Sequence, residues 1–290
     1  MAAMQAPRRP RPYQRALRDG LVLAGLLFAA YLFVVVAPTA RTFGFDAFAY
    51  WSVDSADPYG AQDGRLAAFT YSPAIALLFD AFGTVSWPTF LWLWTALQIA
   101  TLLWLGGSRT LWLLAFPPIA LELYHGNIHL LMAALIVIGF RYPAVWAFMI
   151  LAKLTPGIGL AWFAVRREWR SLAIALGVTA GVALVSFVLL PTPWREWIAY
   201  LMAAEGRATG QASIDIPLLI RVPAALVIVV WGARTDRRWT VPLAVTLAQP
   251  VLWPTSFAIC AACLPLAGLR RGWRRGGGSA DPAAADLRPA

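Results

Sequence analysis

Long apolar runs separated by short polar knots dominate this chain, and their spacing predicts helices that cross a membrane. Residues 21–38, LVLAGLLFAAYLFVVVAP, are about as long as a bilayer core requires and follow Arg8, Arg9, Arg11, Arg15 and Arg18. A cleaved signal peptide would carry a shorter apolar region, so this run reads as a first transmembrane helix behind a cytoplasmic basic segment, residues 1–18. Residues 39–86 are then external. Within them Pro73, Asp80 and Gly83 interrupt an apolar stretch, and residues 73 to 83 read as a short helix lying in the outer interface. Further spans are expected over 87–107, 110–123 and 127–140, turning at Arg109, at HGNIH and at Arg141.

Residues 144–165 are long enough to cross once, but one crossing would leave Arg166, Arg167 and Arg170 outside. Lys153, Thr155, Pro156 and Gly157 in the middle predict two half-length helices with a break that faces protein or water, because Pro removes a backbone hydrogen bond and a lone Lys is unfavourable in lipid. Residues 171–191 lead out to a second external loop, 192–215. The span 216–233 returns, and residues 240–269 form a last pair around QPVLWPTS. Residues 271–290 read as a disordered cytoplasmic tail. The whole is an all-α polytopic membrane protein, residues 19–270 forming a bundle of about ten transmembrane or re-entrant helices, with short interfacial helices in the first external loop.

Composition agrees. The 290 residues are 60% hydrophobic and only 13% charged, with a mean hydropathy of +0.65, which excludes an ordinary soluble domain. The net charge of +10 sits in short clusters between apolar runs and not on one polar face. It fits anionic lipid headgroups and gives no nucleic-acid footprint. On this map only Arg41, Arg65, Lys153, Arg195 and Arg207 among the basic residues are external, whereas Asp46, Asp54, Asp57, Asp63, Asp80, Glu122, Glu196, Glu205 and Asp215 all are. An outer site of mixed charge follows. Cys260 and Cys263 lie in an apolar segment without nearby ligand partners and read as core residues.

Each candidate residue has a functional and a structural reading. Asp46 in FDAFAYW shares a helix face with Tyr50; it is a general base at the membrane surface or a cap. Asp57 and Tyr59 lie in the ADPYG turn, where Asp57 orients a sugar hydroxyl or caps the turn. Tyr71 in FTYSP lines a sugar pocket or belongs to an interfacial aromatic belt. HGNIH holds both histidines, His125 and His129, and Asn127. It reads as polar recognition of substrate, or as a metal site on histidines four apart, although Gly126 interrupts the helix. Lys153 is the only lysine in the chain; a phosphate or a carboxylate would satisfy it. Arg221 lies two turns into a span and must be paired, with Asp215 or a ligand phosphate as candidates.

The ordered set FDAFAYW, ADPY, FTYSP, HGN, AKLTPG with RREWR, GQAS with IRV, and QPVLWP with CLPL resembles glycosyltransferase family 87. These polytopic enzymes have the GT-C fold and are related to bacterial polyprenol-phosphate-mannose-dependent mannosyltransferases. The resemblance implies that Asp46, with Tyr50, is the catalytic base of a D-x-x-x-Y element. It matches Asp57, Pro58 and Tyr59 to DPY, and Tyr71, Ser72 and Pro73 to a Y-P-P element. Asn127 matches part of G-Q-x-N, and Lys153 with Pro156 part of K-P-x-P. Gln211 and Ser213 match part of N-Q-S. Where the family has S-P-x-S-W-x-H, this chain runs from Gln249 to Thr255 without the histidine, so His125 or His129 would have to replace it or the acceptor differs.

The implied reaction moves a hexose, mannose above all, from a polyprenyl-phosphate sugar to a hydroxyl of a glycolipid or glycan acceptor on the outer face of the plasma membrane, with inversion. Lys153, with Arg221 or Arg207, would steady the leaving phosphate. No cofactor is implied, and a monophosphate leaving group does not require a divalent metal. The other classes in play are a transporter or flippase for lipid-linked sugars and a scaffold subunit.

Overall fold

The computed structural model describes residues 12–60, 66–203 and 213–268; the expected basic segment before Pro12, Asp63, Arg65, Glu205, Arg207, Gln211 and the expected tail after residue 268 lie outside them. Every regular element among the described residues is helical. The protein is a helical membrane protein, and three of its helices are long and apolar enough to cross a bilayer: Pro12–Ala40, Trp87–Leu114 and Trp169–Leu189. Trp169–Leu189 has a mean hydropathy of 2.5, yet only 11% of its apolar window is buried. Exposed Leu184, Val185 and Val188 belong against lipid chains, since in water such a face would drive association.

The expected count of about ten is not what these helices provide. A fourth span exists only if Pro117–His125 and His129–Gly139, which bend by 109° at their junction, are taken as one. The reason lies in the breaks. Where residues 110–123 and 127–140 were expected to cross, the chain meets Pro117 and Gly126, and what remains are Thr110–Leu114, Pro117–His125 and His129–Gly139, each short of the roughly 20 residues a crossing takes; Trp146–Ala152 and Ala161–Val165 are half-length pieces, as expected for 144–165. These pieces are buried in protein: Trp146, Met149, Trp162 and Phe163 are at most 1% exposed. Likewise residues 240–269 contain the helix Thr240–Leu247 and a 3-10 segment, Pro254–Ala262. Where Lys153 and Pro156 predict a break, the helix indeed ends at Ala152 and resumes as a 3-10 turn at Thr155.

The described residues between the first two long helices gather into a layer of aromatic rings. Its helices Phe45–Trp51 and Pro73–Asp80 pack through Tyr50, Tyr71 and Phe79 against Trp94 of the Trp87 helix. The second loop comes to the same place: Trp197 of the helix Pro191–Ala203 donates to the Thr70 carbonyl at 3.3 Å, and Tyr200 stacks on Tyr59. Ser72 N–H bonds the Leu151 carbonyl, tying the loop to the helix that ends beside Lys153.

Candidate active site

Two glycines set the site. Gly44 (φ 76°) opens the helix Phe45–Trp51, and its N–H donates to the Tyr124 carbonyl at 2.9 Å. Gly126 (φ 70°) ends the helix Pro117–His125 in the left-handed conformation that L side chains adopt only at a cost. A Cβ there would stand 2.7 Å from the Ala47 Cβ. The two helix ends therefore approach more closely than any other residue at 126 allows. Trp94 Nε1 donates to the Gly126 carbonyl at 2.7 Å and Gln98 Nε2 to the Asn127 carbonyl at 2.5 Å, so the turn's exposed carbonyls are satisfied by the neighbouring membrane helix.

That approach delivers Asn127 to Asp46. The Asn127 amide donates to the Asp46 carboxylate at 2.8 Å, while its own oxygen accepts the Ile128 N–H at 2.7 Å. The second bond fixes which end of the amide faces the acid. Asp46 is half-buried. Desolvation pushes its carboxyl above the ordinary carboxylate range, offset in part by the Asn127 amide and the nearby His125, which favour the ionised form. Below it, Tyr50 and Tyr71 share a 2.9 Å hydroxyl contact, and burial holds both phenols well above their usual range, so both keep their protons. Tyr59 donates to the Tyr71 carbonyl at 2.8 Å.

On the other side of the Asn127 turn is a buried chain of three charged or titratable groups. Glu122 Oε1 accepts the Leu130 N–H at 3.1 Å; its Oε2 lies 3.1 Å from His129 Nδ1, and His129 Nε2 lies 2.8 Å from Lys153 Nζ. Glu122 and His129 are fully buried. The ammonium also lies 6.0 Å from the centre of the Tyr71 ring, and the Asp46 carboxylate, with Glu122, favours its charged form. Acid, amide, phenols and ammonium therefore surround one region: a hydroxyl could lose a proton at Asp46 while negative charge gathers near Lys153.

Not every residue singled out in the sequence arrives there. Asp57 is exposed in its turn, its N–H bonded to the Asp54 carbonyl. Ser213 borders a segment joined to the late loop by the Ile214 N–H, which donates to the Leu252 carbonyl. Arg221 reaches neither Asp215 nor the Asp46 region. It is 5% exposed, and its guanidinium donates to the carbonyls of Ile216, Leu247, Gln249 and Pro250 at 2.6 to 3.1 Å. It is a cross-link between the helix Leu218–Arg234 and the loop after Leu247. His129, with both ring nitrogens engaged, offers no lone pair to a metal, and no cluster of three metal-ligating side chains occurs among the described residues. Sequence reasoning passed over Glu122 as one more outer acid; its place in an apolar helix was the available signal, since an acid there demands a partner.

No curated protein and no solved structure is detectably similar to this chain. Residues 69–286 match Glycosyltransferase family 87. The match starts beyond Asp46 but includes Tyr71, Asn127 and Lys153, and Asn127 is the residue that holds Asp46. It covers most of the 290 residues, and the chain belongs to glycosyltransferase family 87, a membrane glycosyltransferase.

Proposed function

We propose that this enzyme transfers a hexose, mannose in the first instance, from a polyprenyl-phosphate sugar to a hydroxyl of a glycolipid or glycan acceptor at the outer face of the plasma membrane, both termini lying in the cytoplasm. Asp46 takes the acceptor proton as the acceptor oxygen bonds to the anomeric carbon. The bond from that carbon to the donor phosphate oxygen breaks on the opposite face, which inverts the configuration, and polyprenyl phosphate leaves near Lys153. The family's enzymatic activity takes precedence over the transporter and scaffold readings.

The observation that carries this reading is the placement of a half-buried carboxylate, oriented by a fixed amide, within electrostatic reach of the chain's only lysine. A base must be held, and must be reluctant enough to ionise that it accepts a proton. Tyr50 and Tyr71, locked as neutral phenols and buried, back the helix that carries Asp46, and Tyr71 faces the Lys153 ammonium. Ser213, and Gln211 beyond the described residues, remain acceptor-side candidates on the second loop, while Asp57 supports the turn that carries Tyr59. The arginine clusters beside the inner helix ends fit the cytoplasmic assignment. Membranes carrying Asp46→Asn, supplied with polyprenyl-phosphate mannose, should lose transfer by about 10²- to 10⁴-fold. Undiminished turnover would remove Asp46 as the base, and transfer from a nucleotide sugar instead would remove the donor class.

A further inference from the structure

We infer that Glu122 and His129 are positioning residues for Lys153, with Glu122 fixing the imidazole as the tautomer protonated on Nδ1, so that Nε2 accepts one ammonium proton and the others are aimed at the departing phosphate. This rests on the reading of Lys153 above.

The distances fix which atoms face one another, and the charge on Glu122 sets the direction of each bond. Glu122 already accepts the Leu130 N–H on one oxygen, and its second faces His129 Nδ1 at 3.1 Å; with Glu122 as a carboxylate, which only accepts, Nδ1 carries the hydrogen. In a neutral ring Nε2 then holds a lone pair. An ammonium has only donors to offer, and Lys153 Nζ stands 2.8 Å from that lone pair. The opposite tautomer would set N–H against N–H₃⁺. The lysine needs such a tether: it follows the last residue of the helix Trp146–Ala152, in extended backbone geometry (φ −146°, ψ 118°), and its side chain is partly exposed. Without a buried acceptor its long stem would sample many rotamers. With one, a single direction is set by groups that are themselves immobile, as Glu122 and His129 are fully buried. An arginine, always charged and forked, would not make this single-point contact with an imidazole, and Lys153 is the one lysine among 24 basic residues.

A structural role, in which the chain merely holds two bent helices together, makes different predictions. Glu122→Gln presents an amide N–H₂ to Nδ1, because its oxygen stays on the Leu130 N–H; the ring should flip its proton to Nε2 and expel the ammonium. The chain has only two histidines, so ring ¹⁵N spectra of the labelled full-length protein, with His125→Gln to assign the signals, read the tautomer directly. A neutral Nδ1–H ring at His129 is expected. An Nε2–H ring or an imidazolium in the unsubstituted protein overturns the proposal without any activity measurement.

In transfer assays, Glu122→Gln and Lys153→Met should each lower kcat by about a hundredfold with KM for the acceptor little changed. Lys153→Met with Glu122→Gln should be no slower than Lys153→Met alone, because the pair acts as a unit. Glu122→Asp, which keeps a carboxylate, should recover part of the loss. Equal losses from Glu122→Gln in both backgrounds would make its role structural and leave the phosphate reading of Lys153 standing. An unaltered kcat in Lys153→Met would overturn that reading and the positioning role together.

Discussion

Asn127 donates its side-chain amide to Asp46 at 2.8 Å across 81 positions of sequence. Because the Asn127 oxygen is anchored by the Ile128 N–H, the amide cannot turn over without breaking a second bond. Asn127→Ala should therefore lower kcat by about tenfold or more, the equivalent of the roughly 1.5–3 kcal/mol of a hydrogen bond to a charged group. Asn127→Asp should be worse, since it places a second carboxylate against the first. Steady-state transfer rates on both variants check this; equal activity in Asn127→Ala would detach the turn from the base.

The raised pKa of Asp46 has a definite sign in stability. The native carboxyl holds its proton more firmly than the unfolded one, whose pKa is about 3.9. This contribution is fully present below that value and is lost as pH rises through the native pKa. At neutral pH the ionised group is thus a burden on the fold, and Asp46→Asn should melt at a higher temperature in detergent. The advantage should vanish as the buffer is taken below about pH 4. Transfer by the native enzyme should also fall on the acid side as the base becomes protonated. A lower melting temperature for Asp46→Asn at neutral pH would contradict the burial argument.

Gly126→Ala tests the approach of the two helix ends. The new Cβ meets Ala47 at 2.7 Å and the backbone is left-handed, so about 1–3 kcal/mol of stability should be lost, and activity should fall as Asn127 is displaced. Gly177→Ala is the control: nothing lies within 4 Å of a Cβ at that position in the helix Trp169–Leu189. It should be neutral or slightly stabilising. Melting curves and transfer rates on the two variants should diverge.

Arg221→Met should destabilise the protein by about 3 kcal/mol or more, because it strips the carbonyls of Ile216, Leu247, Gln249 and Pro250 of their donor. Turnover per folded molecule should be unchanged. A loss of kcat like that of Lys153→Met, without loss of stability, would return Arg221 to the phosphate.

The sequence by itself determined much of this protein. The excess of apolar residues and the run through residues 21–38 require a membrane, Asp46 and Tyr50 fall on one helix face by their spacing, and Lys153 with Pro156 enforces a helix break that the structure contains. These are local properties, set by side-chain transfer energies and backbone hydrogen bonding over a few turns. Tertiary structure alone decided the rest. Hydropathy does not distinguish a segment buried by lipid from one buried by protein, which is why residues 110–123 and 127–140 read as separate crossings, whereas the structure divides them into short helices, two of which meet at 109°. An intramembrane charge announces that it needs a partner but not which one: Arg221 found carbonyls, Lys153 found His129, and Glu122 joined them. The Asp46–Asn127 bond exists because Gly44 and Gly126 let two helix ends meet, and the contact joins residues whose separation in sequence leaves no periodic trace.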